Sequence, residues 1–163
     1  MNQSLTAKFE QILNEATPQD LQILTQWLDG MHMKQTGEIK TYLASSLLME
    51  RTVTETSCTV TIPITPFIHN RLGIPHGGII AVLLDTAMGL LANKTLAPGY
   101  SAITTNLSIN YIAMTTESHL NATASFIHKG RQTMVVEGVI TDNSGKKLAS
   151  GTGSFFVIPI KTS

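Results

Sequence analysis

The stretch NRLGIPHGGIIAVLLDTAMGLLA, Asn70–Ala92, decides how the rest of the chain is read. It opens on turn chemistry, with Asn70, Gly73 and Pro75 close together. His76-Gly77-Gly78 follows, and then an apolar run that one carboxylate, Asp85, interrupts. Residues 79–92 are too long for one buried strand, and Ala, Leu and Met favour a helix. The stretch predicts a helix over 77–93 that is buried nearly all round. Its paired glycines let a ligand approach the backbone closely. The first N–H groups of such a helix lack intrahelical partners and sit at the positive end of its dipole. They suit a carbonyl oxygen that gains negative charge in a reaction. Asp85 follows Gly77 by eight residues, which places it about 12 Å further along the axis at about 1.5 Å rise per residue. Gly77 and Asp85 of one chain therefore do not flank a single reacting atom. Two copies of the helix side by side bring Gly77 of one near Asp85 of the other, so the spacing points to a dimer with shared sites.

Composition agrees with an assembly. The 163 residues suit one domain with an appendage. Hydrophobic residues make up 42% and charged residues only 13%, so large buried interfaces are expected, as in a homodimer or homotetramer. The 11 basic and 11 acidic residues cancel and form no basic stripe, which argues against a nucleic-acid partner. The lone cysteine, Cys58, excludes an internal disulfide and a cysteine-based zinc site. The opening MNQSLTAKFEQ lacks a basic head followed by an apolar core, so no signal peptide is expected. The apolar run at 79–92 falls short of the ~20 residues of a membrane span. A cytoplasmic location with no membrane partner is the resulting expectation.

Residues 4–15 and 17–33 read as two amphipathic helices. Phe9, Ile12 and Leu13 form the stripe of the first. Thr17-Pro18-Gln19-Asp20 opens the second with a cap, a proline at the first helical position and an acid at the third. Leu21, Leu24, Leu28 and Met31 then recur at helical spacing, and Trp27 reads as a packing anchor. Residues 1–45 form a helical extension, structural in its plain reading, a lid or an oligomer contact in the alternative. Residues 46–163 form the main domain. There the period changes to two: Cys58, Val60, Ile62 and Ile64 alternate with Ser57, Thr59, Thr61 and Pro63. Cys58 falls in the apolar series and reads as an inert core thiol. Ala97-Pro98-Gly99 ends the central helix. In 103–111, Ile103, Thr105, Leu107, Ile109 and Tyr111 face one way and Thr104, Asn106, Ser108 and Asn110 the other. Residues 119–127, 132–141 and 146–158 read as further strands, with Asp142-Asn143-Ser144-Gly145 as a hairpin turn. One strand, a long helix and four closely connected strands predict an antiparallel sheet and the α+β class.

Asn70-Arg71-Leu72-Gly73, His76-Gly77-Gly78 and Asp85, with the strand pattern downstream, resemble the hotdog-fold acyl-CoA thioesterases of the phenylacetate-degradation (PaaI) type. The resemblance spans roughly residues 63–159. It implies a sheet wrapped around the long central helix and hydrolysis of acyl- or aryl-CoA thioesters to free acid and CoA. No cofactor is implied beyond the CoA that the substrate carries. The Gly77 N–H would polarise the thioester carbonyl, and Asp85 would activate water or attack the carbonyl itself. Asn70 would meet the carbonyl or the water, or else simply close its turn. His76 would orient the loop or touch the acyl end. Thr104 would help hold the water, or is an ordinary strand threonine. Gly78 and the turn Lys129-Gly130-Arg131 would lie along the CoA moiety, with Lys129 and Arg131 at its phosphates. The plain alternative for that turn is a solvated hairpin carrying two charges.

Other chemistries find little support. No second carboxylate, cysteine nucleophile or Gly-x-Ser-x-Gly elbow competes with this constellation. His69, His76, His119 and His128 show no ligand spacing with acids, so no metal is expected. The alternatives are a hotdog-fold acyl-thioester hydratase or dehydratase and a non-catalytic acyl-CoA-binding protein. The first pairs a loop histidine with a helix acid at another spacing, whereas His76 and Asp85 lie nine apart. The second has no need of a carboxylate on an apolar helix.

Overall fold

The computed structural model describes residues 2–160, with side chains from residue 4 onward. The chain divides into two compact units: residues up to 48 together with 65–67, and residues 49–64 together with 68 onward.

The first unit is helical, with α1 (Asn2–Glu15), α2 (Pro18–Gln35) and α3 (Tyr42–Ser46). The Thr17 hydroxyl accepts the Asp20 N–H, and the Asp20 carboxylate accepts the Thr17 N–H at 2.9 Å. This reciprocal box fixes the start of α2. Buried Gln26 donates to the Ser46 carbonyl and accepts from the Thr65 hydroxyl, each at 2.8 Å. Trp27 meets the Phe67 ring edge-on at 5.5 Å and stays half exposed. The short α3 has no counterpart in the sequence reading.

The second unit contains β1 (Glu50–Val53), β2 (Ser57–Pro63), α4 (Gly77–Lys94), β3 (Tyr100–Tyr111), β4 (His119–Lys129), β5 (Thr133–Asp142) and β6 (Lys147–Pro159). Every strand pairing is antiparallel, in the order β1-β2-β4-β5-β6-β3. Among the described residues the strands number six rather than five, because β1 is too short and polar to show a period. Cys58, Val60 and Ile62 are fully buried, as alternation predicts. Burial pushes the Cys58 thiol up to about 11.

The helix α4 is the core element. Its Leu83, Leu84, Met88 and Leu91 are fully covered, each stabilising the fold by roughly 1.5–3 kcal/mol. The helix is long and apolar enough to pass for a membrane span on length and composition, and the sheet covers one side of it. Contact is close: a Cβ on Gly138 of β5 would lie 2.8 Å from a Leu84 methyl. The expectation of burial nearly all round is corrected, however. Ala81, Val82, Asp85, Thr86, Gly89 and Leu90 remain partly exposed. They recur at helical spacing and form one uncovered stripe.

A second correction concerns β3. Thr104 pairs with Phe155 and Asn106 with Ser154, so Thr105 is an extra residue in a bulge. The bulge breaks the alternation read from the sequence. Thr104 shares the α4-facing side with Leu107, Ile109 and Tyr111, opposite Phe155, Gly153, Gly151 and Ala149. Ile103 faces the other way, opposite Phe156.

The turn after β5 is tied by Asp142, which is buried. Its carboxylate accepts from the Ser144 hydroxyl at 2.6 Å, the Thr115 hydroxyl at 2.8 Å and two turn N–H groups. These bonds, the Ser144 hydroxyl foremost, hold the carboxyl below its ordinary range. A depressed folded-state pKa contributes stability above the unfolded value near ~3.9, which is lost as pH falls through the folded pKa. Asp142→Ala should lower the melting temperature by a few degrees at pH 7, and the deficit should shrink as melts are repeated down to pH 3. A deficit constant with pH would show that the charge plays no part.

Candidate active site

The sequence-predicted residues fall at three stations along α4. At its start, residues 69–76 form a tight loop. Asn70 closes it: its backbone N–H donates to the Ile74 carbonyl, and its Oδ1 accepts the Leu72 N–H at 2.8 Å. The turn-closing role of Asn70 is therefore present, and its amide nitrogen has no protein acceptor among the described residues. His76 is the N-cap, and its Nδ1 accepts the Gly78 N–H at 2.9 Å. That bond assigns the ring proton to Nε2.

This cap decides which backbone donor is free. Of the first four N–H groups of α4, that of Gly78 goes to His76 Nδ1, and those of Ile79 and Ile80 go to the His76 carbonyl. The Gly77 N–H has no protein acceptor among the described residues. It is thus the one donor left at the positive end of the helix. The Tyr111 hydroxyl donates to the Gly77 carbonyl at 3.0 Å. The peptide between Gly77 and Gly78 is held at both ends, by Tyr111 and by His76. Tyr111 was read from the sequence only as a strand residue. Its contact with Gly77 spans 34 positions, and no local pattern announces it.

Two turns further along, Asp85 lies half-buried in the uncovered stripe. The Thr104 hydroxyl donates to one of its carboxylate oxygens at 2.8 Å. The bulge at Thr105 makes this bond possible, since it turns Thr104 toward the helix. Within one chain, Asn70, His76, Gly77 and Gly78 meet at one end, and Asp85 and Thr104 pair separately.

The third station is the far end of α4. Lys129, Gly130 and Arg131 line a cavity of about 620 Å³ together with Tyr100, Leu96 and Gln132. The turn is tight: Gly130 N–H donates to the Thr133 carbonyl at 2.9 Å, and a Cβ on Gly130 would lie 2.7 Å from that oxygen. Lys129 Nζ lies 5.7 Å from the centre of the Phe126 ring. Tyr100, half exposed, is an aromatic wall of this cavity that the sequence did not single out. Among the described residues no three His, Cys, Asp or Glu side chains converge as metal ligands.

A family model described as the thioesterase superfamily matches residues 72–149. A protein of Bacillus halodurans, solved with CoA, is 40% identical and superposes with a TM-score of 0.87, covering 94% of this chain and 99% of its own. The chain belongs to the thioesterase superfamily. The 1,4-dihydroxy-2-naphthoyl-CoA hydrolase of Listeria monocytogenes is 33% identical over 89 residues, which is 55% of this thioesterase and 72% of the relative. A Vibrio cholerae relative is 31% identical over 94 residues, and that match spans 63% of its length. A Haemophilus influenzae thioesterase, 21% identical with a TM-score of 0.70 over 74% of this chain, shares the fold. That fold is the hotdog, the antiparallel sheet around α4 described above.

The free donor of this thioesterase can be deleted without rebuilding the helix, although a Cβ on Gly77 would lie 3.3 Å from the Tyr111 ring, which has to give by a few tenths of an ångström. Gly77 is the first helical residue, where proline is favoured. His76, at φ −68° and ψ 135°, already has the backbone of a residue that precedes proline. Gly77→Pro should keep the far-ultraviolet circular dichroism and lower kcat by about 10²–10³, as for loss of one oxyanion donor. Unchanged kcat with an intact spectrum would remove the Gly77 N–H from the chemistry.

Proposed function

We propose that this thioesterase hydrolyses acyl- or aryl-CoA thioesters to the free acid and CoA, in sites shared between two copies of the chain. The observation that carries the reading is the separation on one helix of a lone free N–H and a carboxylate whose second oxygen is open. Two copies can join through β3, a 12-residue edge strand with no partner on its outer side among the described residues. The uncovered stripe of α4 would then face its counterpart, with Gly77 of one copy near Asp85 of the other. A homodimer is the minimum this requires, and a homotetramer built from such dimers is compatible with it.

In the proposed reaction Thr104 holds one oxygen of Asp85, and the other takes a proton from water. The hydroxide attacks the thioester carbonyl, and the Gly77 N–H stabilises the oxyanion. The carbon–sulfur bond then breaks, and Asp85 returns the proton to the CoA thiolate. His76 shapes the donor through its cap rather than acting as the base. No cofactor is needed beyond the CoA of the substrate. The residue pattern Asn70, His76-Gly77-Gly78 and Asp85 supports the PaaI type, and the Listeria relative supports an aryl thioester as one substrate class. Lys129 and Arg131 form the cationic rim of the far cavity, suited to the CoA phosphates. A non-catalytic binder would leave the Thr104–Asp85 pair without a use.

Asp85→Asn should fold and bind CoA while hydrolysis falls by at least ~100-fold, the scale of a positioned base. Co-expressing Asp85→Asn with Gly77→Pro should restore thiol release above that of either variant alone, because a mixed dimer contains one complete site. No recovery in a purified mixed dimer would rule out shared sites.

Arg131→Ala should raise KM for CoA thioesters at least ~10-fold more than for the matching pantetheine thioesters, which lack the nucleotide phosphates. Equal changes in the two KM values would place Arg131 elsewhere.

A further inference from the structure

Beside Gly77 lies a second cavity, of about 320 Å³, between the start of α4 and the segment that links β3 to β4. Ile74, Ile80, Ile112, Ala113, Met114 and Leu148 give it an apolar wall, and Gly77 stands at its edge. No charged side chain lines it. Its two hydroxyl groups are already engaged: that of Tyr111 donates to the Gly77 carbonyl, and that of Thr115 to Asp142. A ligand in this space finds mostly apolar surface and no side-chain donor left free by these bonds.

The cavity is also built in advance. Ile112 and Ala113 both donate their N–H groups to the Leu148 carbonyl, at 2.8 and 3.1 Å. Lys146 Nζ donates to the Met114 carbonyl at 2.8 Å. Buried Thr115 is tied to buried Asp142. The 112–115 wall is thus fastened at four successive residues to the β5–β6 hairpin. An apolar space held open in this way suits an apolar ligand, with no entropy lost in ordering a loop.

We propose that this cavity takes the acyl group of the thioester, and that the preferred acyl group is uncharged and apolar, of about ten non-hydrogen atoms. The inference rests on the hydrolase reading above, because it places the carbonyl at the Gly77 N–H. The size follows from the volume, since about 320 Å³ corresponds to roughly ten waters at ~30 Å³ each, and each water counts as one non-hydrogen atom. A medium straight chain or an arylacetyl group fits. A long fatty chain overfills the space. A dicarboxylate half-ester would bring a charge into a wall that offers it no partner.

The test is thiol release from acetyl-, hexanoyl-, octanoyl-, phenylacetyl-, palmitoyl- and succinyl-CoA. The wild type should give a kcat/KM for octanoyl- or phenylacetyl-CoA at least ~10-fold above those for acetyl-, palmitoyl- and succinyl-CoA, the scale of apolar discrimination in a pocket. Ala113→Phe fills the cavity and should reduce the octanoyl-to-acetyl ratio of kcat/KM at least ~10-fold. Met114→Trp, at a position 67% exposed and therefore tolerant of bulk, should shift the same ratio in the same direction. A wild-type preference for acetyl-, palmitoyl- or succinyl-CoA would overturn the inference. So would an unaltered ratio in a folded Met114→Trp, with Ala113→Phe either folded and unaltered or not folded. Those results would leave the hydrolase reading standing. Absence of thiol release from every ester would sink the hydrolase reading, and the inference with it.

Discussion

An 18-residue apolar helix has to be covered, and the sheet covers only part of it. That constraint fixes where a carboxylate can stand on α4. On the covered side, where Leu84, Met88 and Leu91 have no exposure, an isolated charge would cost several kcal/mol. On the uncovered stripe with Ala81 and Gly89 the charge keeps access to water. Asp85 occupies the stripe, and its one side-chain partner among the described residues is the hydroxyl of Thr104. A neutral donor orients the carboxylate without neutralising it, as an ion pair would. The group stays aimed and within reach of water, as the proposed proton abstraction from water requires.

The start of α4 solves the complementary problem. A helix N-terminus offers several unpaired N–H groups, and a loose cluster of donors would bind a carbonyl in several poses. The local sequence removes the surplus. The histidine side chain takes one N–H and its carbonyl takes two, which leaves the Gly77 donor alone. Tyr111, from the other end of the sheet's edge strand, then pins the neighbouring peptide. One donor in a fixed direction loses nothing to reorganisation when charge develops on the oxygen. The HGG triplet is thus a device for leaving one donor free, beyond its role as flexible punctuation.

Much of this was legible in the sequence where the signal is local. The span of α4, the Thr17 capping box and the buried alternation of Cys58, Val60 and Ile62 each follow from residues within one or two turns of each other. The fold class follows from their order, and the roles proposed for Gly77 and Asp85 rest on the motif resemblance joined to the helix spacing. The rest depends on contacts that no local period carries. The bulge at Thr105 inverts half of β3, and only the pairing with β6 reveals it. Tyr111 reaches Gly77 across the fold, and Tyr100 joins Lys129 and Arg131 only because the two ends of the sheet segment meet there. Four-residue β1 has too few side chains to display a period. The stripe on α4 was missed for a related reason: alanine, valine, glycine and leucine read as core whether or not a sheet arrives to cover them.

The helical wheel ties the proposed acyl cavity to the proposed shared site. At 3.6 residues per turn, Ile80 projects about 60° to one side of Gly77 and Asp85 about 80° to the other. Ile80 lines the apolar cavity and Asp85 belongs to the uncovered stripe. A carbonyl held at the Gly77 N–H therefore stands on a divide, with an apolar, fastened wall on one flank and the surface that would meet a second copy on the other. A thioester has the matching asymmetry, an acyl group on one side of its carbonyl and sulfur on the other. Seating the acyl group toward Ile80 directs the sulfur and the CoA arm along the stripe, the side from which a partner's carboxylate and water would approach. The reverse pose would place the polar pantetheine arm against a mostly apolar wall whose two hydroxyl protons are already engaged, leaving its amide carbonyls without a side-chain donor. Orientation of the substrate thus follows from which flank of one glycine the sheet has made dry.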